Sequence, residues 1–187
     1  MKKILSAFLL PVLAGCLTST PPSVSYWPLE YKGAAKPAAA AKYGVARVSQ
    51  VLVRTPYNSE GITVLRANGS LAFDPYNAFA AQPSALLKGV LMECLQASGL
   101  FKSVVNASSS VHSSLGVELF VTRLALDCRT EGSRQAVAEL LVRVIDEGGS
   151  MMIAKGAGKV DAADGNYGAA FSKAVTAALD AALGELR

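Results

Sequence analysis

The sequence predicts an α+β domain, a mostly antiparallel sheet with two amphipathic helices packed on one face. Three observations lead there. Valine-rich or alternating runs recur between residues 44 and 159, separated by turn residues. The last three of them, 116–128, 136–145 and 151–159, follow one another in meander spacing. Two other stretches, 83–98 and 167–186, carry apolar residues at helical spacing instead. Strands that cluster, with helices between and after them, make the α+β pattern.

The chain divides into three regions: a signal peptide (1–15), a flexible tether (16–42) and a single domain (43–187). Lys2 and Lys3 precede an apolar run, 4–14, of secretory length and too short to span a bilayer. The run ends in Leu13-Ala14-Gly15-Cys16, which resembles the bacterial lipoprotein box. That resemblance implies cleavage before Cys16 and a diacylglycerol thioether on its sulfur. The tether is proline-rich near Pro21 and Pro22 and alanine-rich over 34–41. Tyr26-Trp27-Pro28-Leu29 is too aromatic for a linker and reads as a short strand or a segment docked on the domain.

Within the domain, 44–54 reads as a strand closed by Thr55-Pro56. The runs 62–66 and 70–73 flank Asn68-Gly69, a strong hairpin signal, and Asp74-Pro75 is expected to end the second. Asn68-Gly69-Ser70 also fits a glycosylation sequon, but the turn explains it. The helix 83–98 has Pro83 in its first turn, a stripe including Leu87, Leu91 and Cys94, and Gly99 as its cap. Residues 100–105 return to the sheet, and 106–114 form a polar loop. In 116–128 the apolar phase shifts between Val121 and Leu124, implying a β-bulge near Thr122. In 136–145, Leu140, Val142 and Val144 alternate with Glu139 and Arg143, so one face is buried. The final helix presents Phe171, Val175, Leu179 and Leu183 along one side.

The chain has 18 Lys and Arg against 14 Asp and Glu, and Lys2 and Lys3 leave with the signal peptide. The remaining charges nearly balance and form no basic cluster, so nucleic-acid binding has no support. Cys94 and Cys128 are either a candidate disulfide, permitted in an oxidising compartment, or two separate buried thiols. The only histidine, His112, sits in a serine-rich loop without partners for a metal site or a catalytic dyad. Gly156-Ala157-Gly158-Lys159 lacks the first glycine of a phosphate loop and is followed by Val160, so it reads as strand. Asp146, Glu147, Asp161 and Asp164 lie beside glycines or turns as capping residues. The expectation is a protein that is not an enzyme, with no catalytic residue, no metal and no cofactor beyond the lipid on Cys16.

Taken together, these segments resemble the ABC-type transport auxiliary lipoproteins, the PqiC-like family, over nearly the whole mature chain. The similarity lies in Tyr26-Trp27-Pro28-Leu29 after the lipid cysteine, in 48–57 ending in proline and tyrosine, and in Ile62-Thr63-Val64-Leu65-Arg66. It continues through the aromatic Phe79 before the proline-led helix, the return 99–105, and Asn166-Tyr167 opening the last helix. Phe79 stands where the family commonly has tryptophan, and Gln82 where an acidic residue is frequent. The resemblance implies an accessory role beside an inner-membrane ABC transporter and an Mce-type substrate-binding subunit, in lipid or organic-solute traffic. Leu17, in place of an aspartate after the lipid cysteine, implies anchoring at the periplasmic face of the outer membrane. The alternatives are an envelope-assembly lipoprotein and a direct lipid carrier. Tyr57, Tyr76 and Phe79 are candidate partner-binding residues, toward the Mce-type subunit or in a homo-oligomer. The plainer alternative makes Phe73 and Phe79 core and the tyrosines loop cover.

Overall fold

The computed structural model describes residues 23–34, 41–162 and 166–187; the signal peptide, Cys16 and Asp164 lie outside the described residues. Strand β6 (Leu115–Cys128) organises the sheet. One of its edges pairs antiparallel with β7 (Gln135–Asp146), which pairs antiparallel with β8 (Met151–Asp161). The other edge is shared. Strand β2 (Tyr43–Val53) runs parallel beside its first half, and β3 (Gly61–Arg66) runs parallel beside Leu126–Cys128. Two arms result. Strand β5 (Phe101–Asn106) extends the first, parallel to β2. Strand β4 (Leu71–Phe79) extends the second, antiparallel to β3, and β1 (Ser25–Trp27) ends it, parallel to β4.

The sheet is therefore mixed, with eight strands and parallel pairing at four of its seven strand contacts among the described residues. This corrects the expected mostly antiparallel sheet. Short turns impose antiparallel pairing on 61–79 and on the final meander. By contrast, β2 reaches β5 and β6 through long connections that permit parallel crossovers. Valine-rich alternation is the same in both arrangements, so it carries no direction.

Strand β4 also continues through Asp74-Pro75. Thr63 pairs with Phe73 and Gly61 with Ala78, so the β4 side bulges between them. Asp74 Oδ1 accepts the backbone N–H groups of Tyr76 (2.8 Å) and Asn77 (3.0 Å) inside that bulge. Pro75, lacking an N–H, therefore removes no ladder bond. The bulge expected near Thr122 is present, between Val121 and Arg123.

Helices α1 (Pro83–Ser98) and α2 (Tyr167–Glu185) lie on the same face and touch each other. Buried Leu87, Leu91 and Leu95 set α1 over β2 and β5. The Asn58 side chain accepts the Ser84 N–H (3.0 Å) at its start, and Gly99, at φ 66°, closes it. Helix α2 lies on β7 and β8, with Phe171 edge-on to Phe79 at 5.2 Å. Its approach to β8 is backbone on backbone. A Cβ at Gly156 would stand 1.8 Å from the Ala178 carbonyl oxygen, and one at Gly158 1.9 Å from that of Ala174. The glycine pair that resembles part of a phosphate loop is thus a notch for a helix.

Residues 23–34, assigned above to the tether, are folded onto the domain. Beyond β1, Leu29 is buried. The Glu30 N–H donates to Ser172 Oγ (3.1 Å) and the Lys32 N–H to Thr176 Oγ1 (2.9 Å). Tyr31 donates its hydroxyl to Asp180 Oδ1 (2.9 Å). Ser172, Thr176 and Asp180 recur every four residues, so they form one stripe along α2 and the segment is strapped down its length. Among the described residues no helix is long and apolar enough to cross a membrane.

The same substitution should act with opposite sign at two glycines. Gly158→Ala meets backbone that no rotamer change can move, and should cost about 3 kcal/mol, the upper end of overpacking. Gly89 is exposed within α1 with nothing within 4 Å of its would-be Cβ. Gly89→Ala should stabilise by about 0.5–1 kcal/mol through chain entropy. Urea unfolding of the two variants checks both.

Candidate functional site

The three candidate partner residues separate in the structure. Phe79 is 1% exposed and packs on Phe171, so it is a core residue and no partner contact. Tyr57 is half-buried against the core, where its N–H donates to the Arg54 carbonyl (2.8 Å). Only Tyr76, at 55% exposure, faces solvent. Two other aromatics join it on the second arm: Phe73, 55% exposed, and Tyr26, 63% exposed.

Their placement follows from register. Ala78 pairs with Tyr26 on one side and Gly61 on the other, so these three point to the face without helices. The Phe73 ring lies across Gly61, its Cδ1 3.3 Å from where a Cβ would be. Leu71, two residues back on the same strand, is also exposed. Trp27 takes the opposite phase, packing over Gly168 and donating its indole N–H to Asn77 Oδ1 (2.9 Å). Tyr26 is legible in this light, since neighbouring residues of a strand face opposite ways. Phe73 is not, because its exposure depends on Gly61 and Ala78 being small.

A groove of about 470 Å³ opens at the end of this arm. Val64, Ala72, Leu126 and Cys128 line it alongside the polar Arg66, Asn77 and Arg134. Arg134 Nη1 donates to the Tyr167 hydroxyl (3.3 Å). Burial pushes the Cys128 thiol up, so it stays protonated and is a poor nucleophile.

Of the two readings of Cys94 and Cys128, the structure has two separate thiols in place of the candidate disulfide. Cys94 is buried on α1, over the first arm, whereas Cys128 ends β6 beside the second. Burial holds the Tyr31 phenol well above its usual range, helped by Cys94 and the Asp180 carboxylate, so Tyr31 remains a hydrogen-bond donor to the strap's anchor. His112 is exposed, its Nε2 2.9 Å from Glu147 Oε1. Among the described residues no three His, Cys, Asp or Glu side chains converge as a metal site.

The end of β6 is tied by Asp127, nearly buried, and Arg129. Arg129 donates Nε to Oδ1 (3.0 Å), Nη2 to Oδ2 (2.6 Å) and its backbone N–H to Oδ1 (3.1 Å). These hydrogen bonds lower the Asp127 pKa from 3.8 to about 2 against the opposing effect of burial.

The sequence matches no family model and no curated protein. Among solved structures the chain is similar to protein XCC0632 from Xanthomonas campestris, described under DUF330. The TM-score is 0.61 at 19% identity, covering 83% of this chain and 86% of that one. It is similar also to an uncharacterized protein, with TM-score 0.62 at 17% identity over 88% of this chain and 99% of that one. The PelC dodecamer from Paraburkholderia phytofirmans is a weaker likeness, with TM-score 0.43 at 11% identity over 79% of this chain and 92% of that one. The first two likenesses show the fold, which this chain shares with the DUF330 structure and with the uncharacterized one.

A depressed carboxylate pKa stabilises the fold above its unfolded value and loses that contribution as pH falls. Asp127 should therefore contribute about 1–2 kcal/mol above pH ~4, discounted because Arg129 is half exposed, and nothing below pH ~2. Asp127→Asn should be less stable than the parent by that amount at neutral pH, and the gap should close between pH ~4 and ~2. Urea titrations across this range measure it.

Proposed function

We propose that the chain is a non-enzymatic, lipid-anchored accessory lipoprotein of an ABC/Mce-type transporter, held by Cys16 at the periplasmic face of the outer membrane. The observation that carries this reading is the strap. Because the chain is already folded onto the domain at β1, only seven residue steps separate Cys16 from Ser23. Fully extended they reach at most about 25 Å. Acyl chains on Cys16 would thus hold the domain close to the bilayer, and a partner would meet it there. Each buried methylene contributes about 0.8 kcal/mol, and stable anchoring takes more than one chain. The fold shared with the DUF330 structure supports the PqiC-like resemblance of the sequence. A lipid-carrying role is the second reading, favoured by the groove of about 470 Å³, whose size suits a ligand pocket.

Cys16→Ser should abolish the acyl mass and release the protein from the outer-membrane fraction. Unchanged mass and unchanged fractionation would contradict the anchor. Co-purification of permease, ATPase and Mce-type subunits with the acylated parent is the result expected of an accessory protein. A phospholipid extracted stoichiometrically from the purified domain, without those subunits, would favour the carrier.

A further inference from the structure

We propose that the aromatic face formed by Tyr26, Phe73 and Tyr76 rests on the bilayer that holds the lipid anchor. The inference rests on acylation of Cys16, put forward above, and adds an orientation to it. With Val24 and Leu71, these side chains form the exposed apolar surface of the second arm. Strands β1 and β4 are paired, and Phe73 and Tyr76 line one groove, so these exposed apolar groups gather on one arm, as at a contact surface.

The length of chain beyond the described residues argues for lipid as the occupant. Tyr26 lies ten residues after Cys16, and the chain from Cys16 to Ser23 reaches no farther than about 25 Å. Strand β1 is hydrogen-bonded to the same β4 that carries Phe73 and Tyr76, so anchor and patch are coupled through one ladder. From β1 the chain leads away along α2, held by Ser172, Thr176 and Asp180. The patch is therefore on the part of the domain that the anchor brings to the membrane first.

Chemistry and energetics agree. Tyrosine offers an apolar ring with a polar tip, the combination enriched where acyl chains meet headgroups. Arg66 and Asp74, of opposite charge, line the groove beside Phe73 and Tyr76 and suit the polar headgroup level. Three rings alone would bind a membrane weakly. On an acylated protein the contact becomes intramolecular, and the high effective concentration makes a weak contact sufficient to orient the domain.

Trp27 is the only tryptophan, which allows a site-specific reporter. Full-length acylated protein carrying Trp27→Phe and Tyr76→Trp is reconstituted in phosphatidylethanolamine and phosphatidylglycerol vesicles whose acyl chains are brominated. A parallel sample carries Leu52→Trp, an exposed position on the first arm. The expected result is a blue shift and loss of most fluorescence for the reporter at position 76, with neither at position 52. Tyr26→Trp in the same background repeats the test if the first variant fails to fold. An acylated protein whose reporter stays unquenched, or is quenched equally at position 52, overturns the proposal. A blue shift without bromine quenching overturns it in favour of a protein contact, a second copy included. Absence of the acyl mass overturns the anchoring reading, and the orientation with it.

Discussion

The contact between α2 and β8 is the constraint on which the rest of the architecture depends. Two glycine positions on alternate residues of β8 let the Ala174 and Ala178 carbonyls descend to the strand itself. Any side chain at Gly156 or Gly158 would lift the helix, and a lifted helix would lose several things together. Ala174, Ala178 and Ala182 are fully buried because the helix is so close. Phe171 reaches Phe79 and joins the helix to the second arm. Ser172, Thr176 and Asp180, farther around α2, stand where the N-terminal strap needs its acceptors.

From that contact a line of dependence runs to the exposed aromatic residues of the second arm. The helix fixes the strap, and the strap delivers Trp27 to its place beside Gly168 and Asn77. Trp27 and Tyr26, neighbours on β1, take opposite faces, so Tyr26 turns outward onto the face it shares with Phe73. Residues 23–34 are thereby part of the fold, bonded to β4 on one side and to α2 on the other. In the proposed role this matters more than any single residue. An accessory lipoprotein acts by being held in one orientation, and a short connection restricts orientation in a way that a flexible one does not.

Local features were legible in the sequence, and long-range ones were not. Both helices, the hairpin at Asn68-Gly69 and the bulge after Val121 are set by neighbouring residues, and all stand where the sequence puts them. The sharing of one β6 edge by β2 and β3 is set by partners far apart in the chain, and no periodicity records it. Asp74-Pro75 looked like a strand end because proline usually is one, but the Asp74 carboxylate supplies the bulge that accommodates it. At the candidate site, Tyr76 was legible as an exposed aromatic. Of the two readings of Phe79, the core one holds, because the strand runs on past Pro75 and carries it inward; Phe73, which that reading also makes core, is exposed. The docked strand at Tyr26-Trp27-Pro28-Leu29 is legible from its aromatic residues, whereas its continuation along α2 is not, because Glu30 and Lys32 hold it through backbone N–H groups, which every sequence has.

The central claim, that the N-terminal segment belongs to the fold, is most directly tested at two amides. Hydrogen exchange of the Glu30 and Lys32 N–H groups in the full-length protein reports on their bonds to Ser172 and Thr176. Both should be protected, and protection at Glu30 should fall selectively in Ser172→Ala while the amides of β6 are unchanged. Exchange of both amides at the rate of an unstructured peptide in the parent protein would contradict the strap and the orientation built on it.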